Sequence, residues 1–219
     1  PVVAYLKDHR AATLDKVSAT VEQFIADNKT AGVELLPAAG AAGIEAAVNQ
    51  EVRTAWLKML AYIYGTVAIL CLIAFRSWRA VLVALLPLAL TSVLCEALMV
   101  VLGIGVKVAT LPVIALGVGI GVDYALYLLS VQLHGQRMGM PLPEAYRAAL
   151  AFTGRIVALV GLTLAAGVIT WAWSPIKFQA DMGILLAFMF LWNMLGALIL
   201  IPALSYFLLP TSAVRKVSA

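Results

Sequence analysis

Charge is scarce in this chain. Only 12% of its 219 residues are Asp, Glu, Lys or Arg, against about 25% in a typical soluble domain. A chain so poor in charge cannot cover itself with solvated side chains. Cysteine is scarcer still. Cys71 and Cys95 both lie in apolar runs, with no metal-binding spacing, and read as small buried residues. There is no HExxH segment and no Gly-rich loop ending in Lys-Ser or Lys-Thr, which removes zinc-protease and P-loop nucleotide chemistry. An intramembrane aspartyl protease needs two aspartates, and only one stands centrally in an apolar run. No residue is a candidate for catalysis, cofactor binding or metal ligation. The net charge of +4 is scattered between apolar stretches, so no basic face exists for nucleic acid. No internal repeat or low-complexity tail is visible. The first residues carry no signal-peptide pattern, and the chain is expected to be a piece of a longer protein, cut inside a domain.

What is present is grease. The chain is 63% hydrophobic, with a mean hydropathy of +1.01. Five apolar stretches, at about 54–75, 79–103, 107–131, 151–173 and 182–208, are each near or above the ~20 residues a spanning helix needs. Only helices or closed barrels satisfy the backbone in lipid, so the fold class is an all-α polytopic membrane domain of five helices. Phe75-Arg76-Ser77-Trp78-Arg79 permits only a tight reversal. The longer polar segment 132–150 is expected to lie at the membrane interface, with Pro143 and Glu144 in the first turn of a short helix.

Residues 1–53 differ. TLDKVSATVEQFIADN carries Leu14, Val17, Val21, Phe24 and Ile25 at a helical period, and VELLP at 33–37 suits a short strand. A small α+β piece of a water-exposed domain is expected there, with residues 209–219 a tail at the other end.

Lys and Arg give the orientation. Arg76, Arg79, Arg137, Arg147, Arg155, Arg215 and Lys216 fall on one side, and Arg53, Lys58, Lys107 and Lys177 on the other. The richer side is expected in the cytoplasm, with residues 1–53 outside. Trp56, Trp78, Trp171 and Trp173 fall near span ends as interface anchors, and Trp192 reads as a packing residue.

The chemistry concentrates in GVGIGVDYALYLL, residues 117–129. Asp123 lies towards the middle of the third span, where a charge costs about 2.5–3.5 kcal/mol on insertion scales. Desolvation disfavours its ionised form, so the carboxyl is suited to carrying a proton. Tyr124 supplies a hydroxyl beside it. The bland alternative is a protonated Asp that joins helices. Gly117 and Gly121 share a face, with Gly119 between, and serve close helix packing, hydration near the acid, or both. Glu96, in the second span, either finds a local partner such as Lys107 or lines a path. Thr163, Thr170 and Asn193 are weaker candidates, since Ser and Thr in such helices usually bond their own backbone. His134 reads as an interface residue.

GVGIGVDYALYLL resembles the Gly-rich Asp-Tyr helix of the resistance–nodulation–division superfamily in its MMPL branch, related to Patched and sterol-sensing proteins. LIAFRSWRAVLVALLPLAL, FTGRIVALVGLTLAAGVITW and FQADMGILLAFMFLWNMLGALILIPAL are similar to neighbouring helices of that family, so the resemblance covers nearly the whole chain. It implies the C-terminal part of a transporter built from two similar halves: the end of the second periplasmic porter-type domain, then helices eight to twelve. It further implies Asp123 and Tyr124 as a proton-relay pair facing a matching pair in the absent N-terminal half. The expected function is proton-driven export of hydrophobic or lipid-like molecules across the bacterial inner membrane, without a cofactor. Expected partners are membrane lipids, the substrate, the N-terminal half, and either a second copy or a periplasmic protein. A sterol-sensing-like lipid binder and a protein-export accessory are the alternatives.

Overall fold

The computed structural model describes residues 11–28, 41–105 and 110–209. The chain divides into two compact units, Pro1–Leu57 and Lys58–Ala219.

In the first unit, helix α1 (Ala11–Asp27) follows the period read from the sequence. Of its apolar face Leu14 is buried, while Val17 and Phe24 are exposed. The strand expected at 33–37 lies outside the described residues. Among the described residues every regular element is helical, so the structure gives no support for an α+β piece. Helix α2 (Ala41–Phe75) contributes to both units. It absorbs the segment IEAAVNQEV, which the sequence placed before the first span.

Among the described residues five helical runs are long and apolar enough to cross a membrane: Gly43–Phe75, Trp78–Val101, Leu111–Arg137, Leu142–Trp173 and Lys177–Leu208. Helix α3 (Trp78–Val101) follows α2 through the tight reversal. Arg76 takes a left-handed φ of 52° there, and Arg137 Nη2 donates to the Phe75 carbonyl at 3.2 Å. That bond satisfies one of the acceptors a helix C-terminus leaves open. It also brings Arg76, Arg79 and Arg137 to the same end of this unit.

Helix α4 (Leu111–Arg137) starts later and ends later than hydropathy suggested. Its stop is set by Gly139, at φ 92°. The Met140 N–H reaches the Gly135 carbonyl at 3.0 Å and the Gly139 N–H reaches Gln136 at 3.0 Å, the paired bonds of a Schellman cap. Residues 132–137, read from composition as interfacial loop, therefore belong to the helix. Helix α5 (Leu142–Ala149) has Glu144 in its first turn, as expected. It runs through a π segment (Leu150–Gly154) into α6 (Arg155–Ile169) and a 3-10 turn (Thr170–Trp173). The last run comprises α7 (Lys177–Leu195), a second π segment (Gly196–Leu200) and α8 (Ile201–Leu208).

Within the second unit α7 is central, packing on α3, α4 and α6. Leu185, Met189 and Ile114 are fully enclosed. Trp78, Trp171 and Trp173 are exposed near helix ends. Trp192 is 41% exposed and touches Phe188, with ring centroids 5.9 Å apart. It stands on an uncovered face rather than in the core.

The second π segment has an identifiable cause. Pro202 has no N–H to give the Leu198 carbonyl four residues back. Tyr146 of α5 supplies the missing donor, its Oη lying 2.7 Å from that oxygen. Tyr146→Phe should lower the unfolding free energy by about 1–2 kcal/mol, read by denaturant titration in detergent. In a Pro202→Ala background, where an N–H is restored, the loss should shrink.

Candidate functional site

Asp123 lies one residue from the centre of α4. Its side chain is on an exposed stripe formed by Leu116, Gly119, Asp123, Tyr127, Ser130 and His134. These residues recur at three- and four-residue intervals, which is one face of a helix. None of the described helices covers it. A methyl added at Gly119, one turn before Asp123, would meet nothing within 4 Å.

The opposite face of α4 is dry and crowded. Gly117 receives the Met189 side chain of α7. At Gly121 an added methyl would lie 2.6 Å from Leu88 Cδ2 of α3 and against the Asn193 amide of α7. That closeness has a purpose: Asn193 Nδ2 donates to the Gly117 carbonyl at 2.7 Å in a buried site. A carbonyl has two lone pairs, so it can accept this bond as well as the helical one. The three glycines are thus divided. Gly117 and Gly121 admit α3 and α7, while Gly119 leaves open space beside the acid.

Tyr124 follows the crowded side. Its residue is 2% exposed, and its Oη has no partner among the described residues. Adjacent in sequence, Asp123 and Tyr124 are turned by about 100° from each other, the helical step. The carboxyl faces out of this bundle and the hydroxyl faces in.

The remaining candidates are not gathered around Asp123. Thr163 is exposed on α6 and its hydroxyl bonds its own backbone, at 2.9 Å to Leu159 O and 3.0 Å to Val160 O. Thr170 does the same to Gly167 O at 2.6 Å. Glu96 is half-buried on α3, one turn beyond Ser92. Ser92 Oγ lies 2.6 Å from Tyr64 Oη, which also donates to Leu88 O at 3.1 Å. The neighbour expected for Glu96, Lys107, lies outside the described residues. His134 shares the exposed stripe with Asp123.

Some polar groups were missed by the sequence reading. Asp181 is buried near the start of α7, 3.4 Å from Lys177 Nζ one turn back, and the i,i+4 spacing was the available signal. Gln132 and Gln136, in the segment expected at the interface, are 0% and 5% exposed. Among the described residues no group of His, Cys, Asp and Glu could hold a metal ion.

Five apolar helices among the described residues, one with a central acid on an uncovered face, define a multi-pass membrane protein. The family model of MMPL matches residues 6–215, and the chain belongs to that family of membrane transporters. It is similar to MJ1562 of Methanocaldococcus jannaschii, named as a membrane protein, at 28% identity over 138 residues, 63% of this chain and 36% of that one. It is also similar to SCO6666 of Streptomyces coelicolor, likewise named as a membrane protein. There the identity is 39% over 90 residues, 41% of this chain and 13% of the relative. The chain therefore spans well under half the length of these curated relatives.

The packing on α4 yields a test. Gly121→Ala forces Leu88 and Asn193 apart and should cost about 1–3 kcal/mol, the range for overpacking. Gly167→Ala, where the added methyl meets open space, should leave stability unchanged or raise it. Thermal unfolding of both variants in detergent distinguishes them.

Proposed function

We propose that this chain is the C-terminal membrane part of a proton-driven exporter of hydrophobic or lipid-like molecules, with Asp123 as the carboxyl that takes up and releases the proton. One observation carries the reading: a central acid on a helix face that the described helices leave bare. A carboxyl facing lipid at mid-membrane is costly, and such groups almost always face a bundle interior or a water-filled cavity. The stripe around Asp123 is therefore the surface that meets the other half of the transporter. Gly119 leaves room there for water or for a close helix. Protonation removes the charge and lets the two halves repack, and that movement drives the outer domains.

Tyr127, Ser130 and His134 continue the same face towards the Arg137 end of α4. In this reading that end is cytoplasmic. The grouping of Arg76, Arg79 and Arg137 supports the assignment by the excess of Lys and Arg in cytoplasmic loops. Residues 1–53 then lie on the outer side of a bacterial inner membrane. The substrate reaches the protein from the lipid phase, and the N-terminal half is the obligatory partner. The Tyr64–Ser92 hydrogen bond joins α2 to α3 locally, and the relay does not run through it.

The test is proton flux in proteoliposomes of the intact protein under an imposed pH gradient. Wild type should show flux that rises with added hydrophobic substrate. Asp123→Asn should reduce it at least tenfold, with the protein folded and inserted. Substrate movement by Asp123→Asn at the wild-type rate would overturn the assignment. Saturable lipid binding without flux in the wild type would instead favour a lipid-sensing protein.

A further inference from the structure

The buried side of α4 carries chemistry that the exposed Asp123 stripe does not explain. Tyr124, Leu128, Gln132 and Gln136 lie on one ridge of the helix, each four residues after the last. All four are 5% exposed or less. Both amide atoms of Gln132, both of Gln136 and the hydroxyl of Tyr124 are without a hydrogen-bond partner among the described residues. Each Gln amide brings two donor hydrogens and an acceptor oxygen with two lone pairs. In the low dielectric of a membrane bundle, leaving them unpaired is among the costliest arrangements a protein can hold.

The surroundings narrow the ligand. It must both donate and accept, to serve NH₂ and C=O groups alike. It must be small, because these side chains are enclosed. It must bridge groups one helical turn apart, whose Cβ atoms lie roughly 5–6 Å from each other. Water meets all three conditions, and a buried water typically makes about three hydrogen bonds to such groups. The neighbouring backbone is irregular: the π segments Leu150–Gly154 and Gly196–Leu200 both pack on α4. Such widened turns recur at functional sites.

We infer that Gln132 and Gln136 hold a file of ordered waters inside the bundle, running from the Arg137 end of α4 past Leu128 to the Tyr124 hydroxyl. The file approaches the residue next to Asp123 from within this bundle, on the face opposite the bare stripe. Its use as a proton path rests on the export reading above. The hydration itself does not, and it is measured without gradient or substrate.

Hydroxyl-radical footprinting of the intact protein in nanodiscs, with brief X-ray pulses, detects water beside side chains that have no surface exposure. Leu128 and Leu185 have the same chemistry and are both 0% exposed. Leu128, beside the file, should be oxidised several-fold faster than Leu185 on α7. In the double variant Gln132→Leu, Gln136→Leu the Leu128 rate should fall to that of Leu185. Equal rates for Leu128 and Leu185 in the wild type would overturn the inference, and this comparison needs no substitution. A dry Leu128 with Asp123-dependent flux intact would reject the water file and leave the export reading standing.

Discussion

Hydrocarbon offers no hydrogen-bond partner, and that constraint governs this molecule. Each polar group within a span must be satisfied by its own helix, by another helix or by enclosed water. Most groups here obey locally. Thr163 and Thr170 bond their own turns, and Arg137 closes the end of α2. Tyr146 replaces the donor that Pro202 lacks. Asn193 reaches across to Gly117 because Gly121 has no side chain to hold it off. These bonds place α7 against α4 and fix which face of α4 is inside.

Once that face is fixed, the rest of α4 follows. Asp123 is carried to the outside of the bundle and Tyr124 to the inside. One helix thus separates an outward face, suited to meeting more protein, from an inward ridge of amides and a hydroxyl. The cost of leaving a buried polar group unpaired is about 1–3 kcal/mol. Five unpaired atoms on one ridge, from Tyr124, Gln132 and Gln136, would together erode much of a typical stability of about 5–15 kcal/mol. The bare acid on one face and the unpaired ridge on the other are the two places on α4 where the described helices leave polar groups unserved.

The number of spans was legible in the sequence because twenty apolar residues in a row have few other uses. Their ends were less so. Gln132, Gln136 and Arg137 looked like loop because hydropathy counts amides as water-facing, whereas the chain turns only at Gly139, where the left-handed backbone allows it. The α4 run thereby gained its last turns, and Asp123 moved to its centre. Asp123 itself stood out, since nothing apolar surrounds a carboxylate without consequence. Its direction did not, because which face of an all-apolar helix is inside depends on neighbours that periodicity cannot name. The three glycines looked alike in sequence and divide into two packing positions and one open one only when α3 and α7 are in place. Trp192 shows the same limit: an aromatic in mid-span reads as core, yet here it lies on an uncovered face against Phe188.

In the proposed export cycle the Asp123 carboxyl changes protonation as the intact protein works. Infrared difference spectroscopy of the reconstituted protein, with the pH stepped across the membrane in the presence of a hydrophobic substrate, observes it directly. A protonated-carboxyl C=O band should appear and disappear with the step and be absent in Asp123→Asn. A band that persists unchanged throughout, or one that survives in Asp123→Asn, would contradict it.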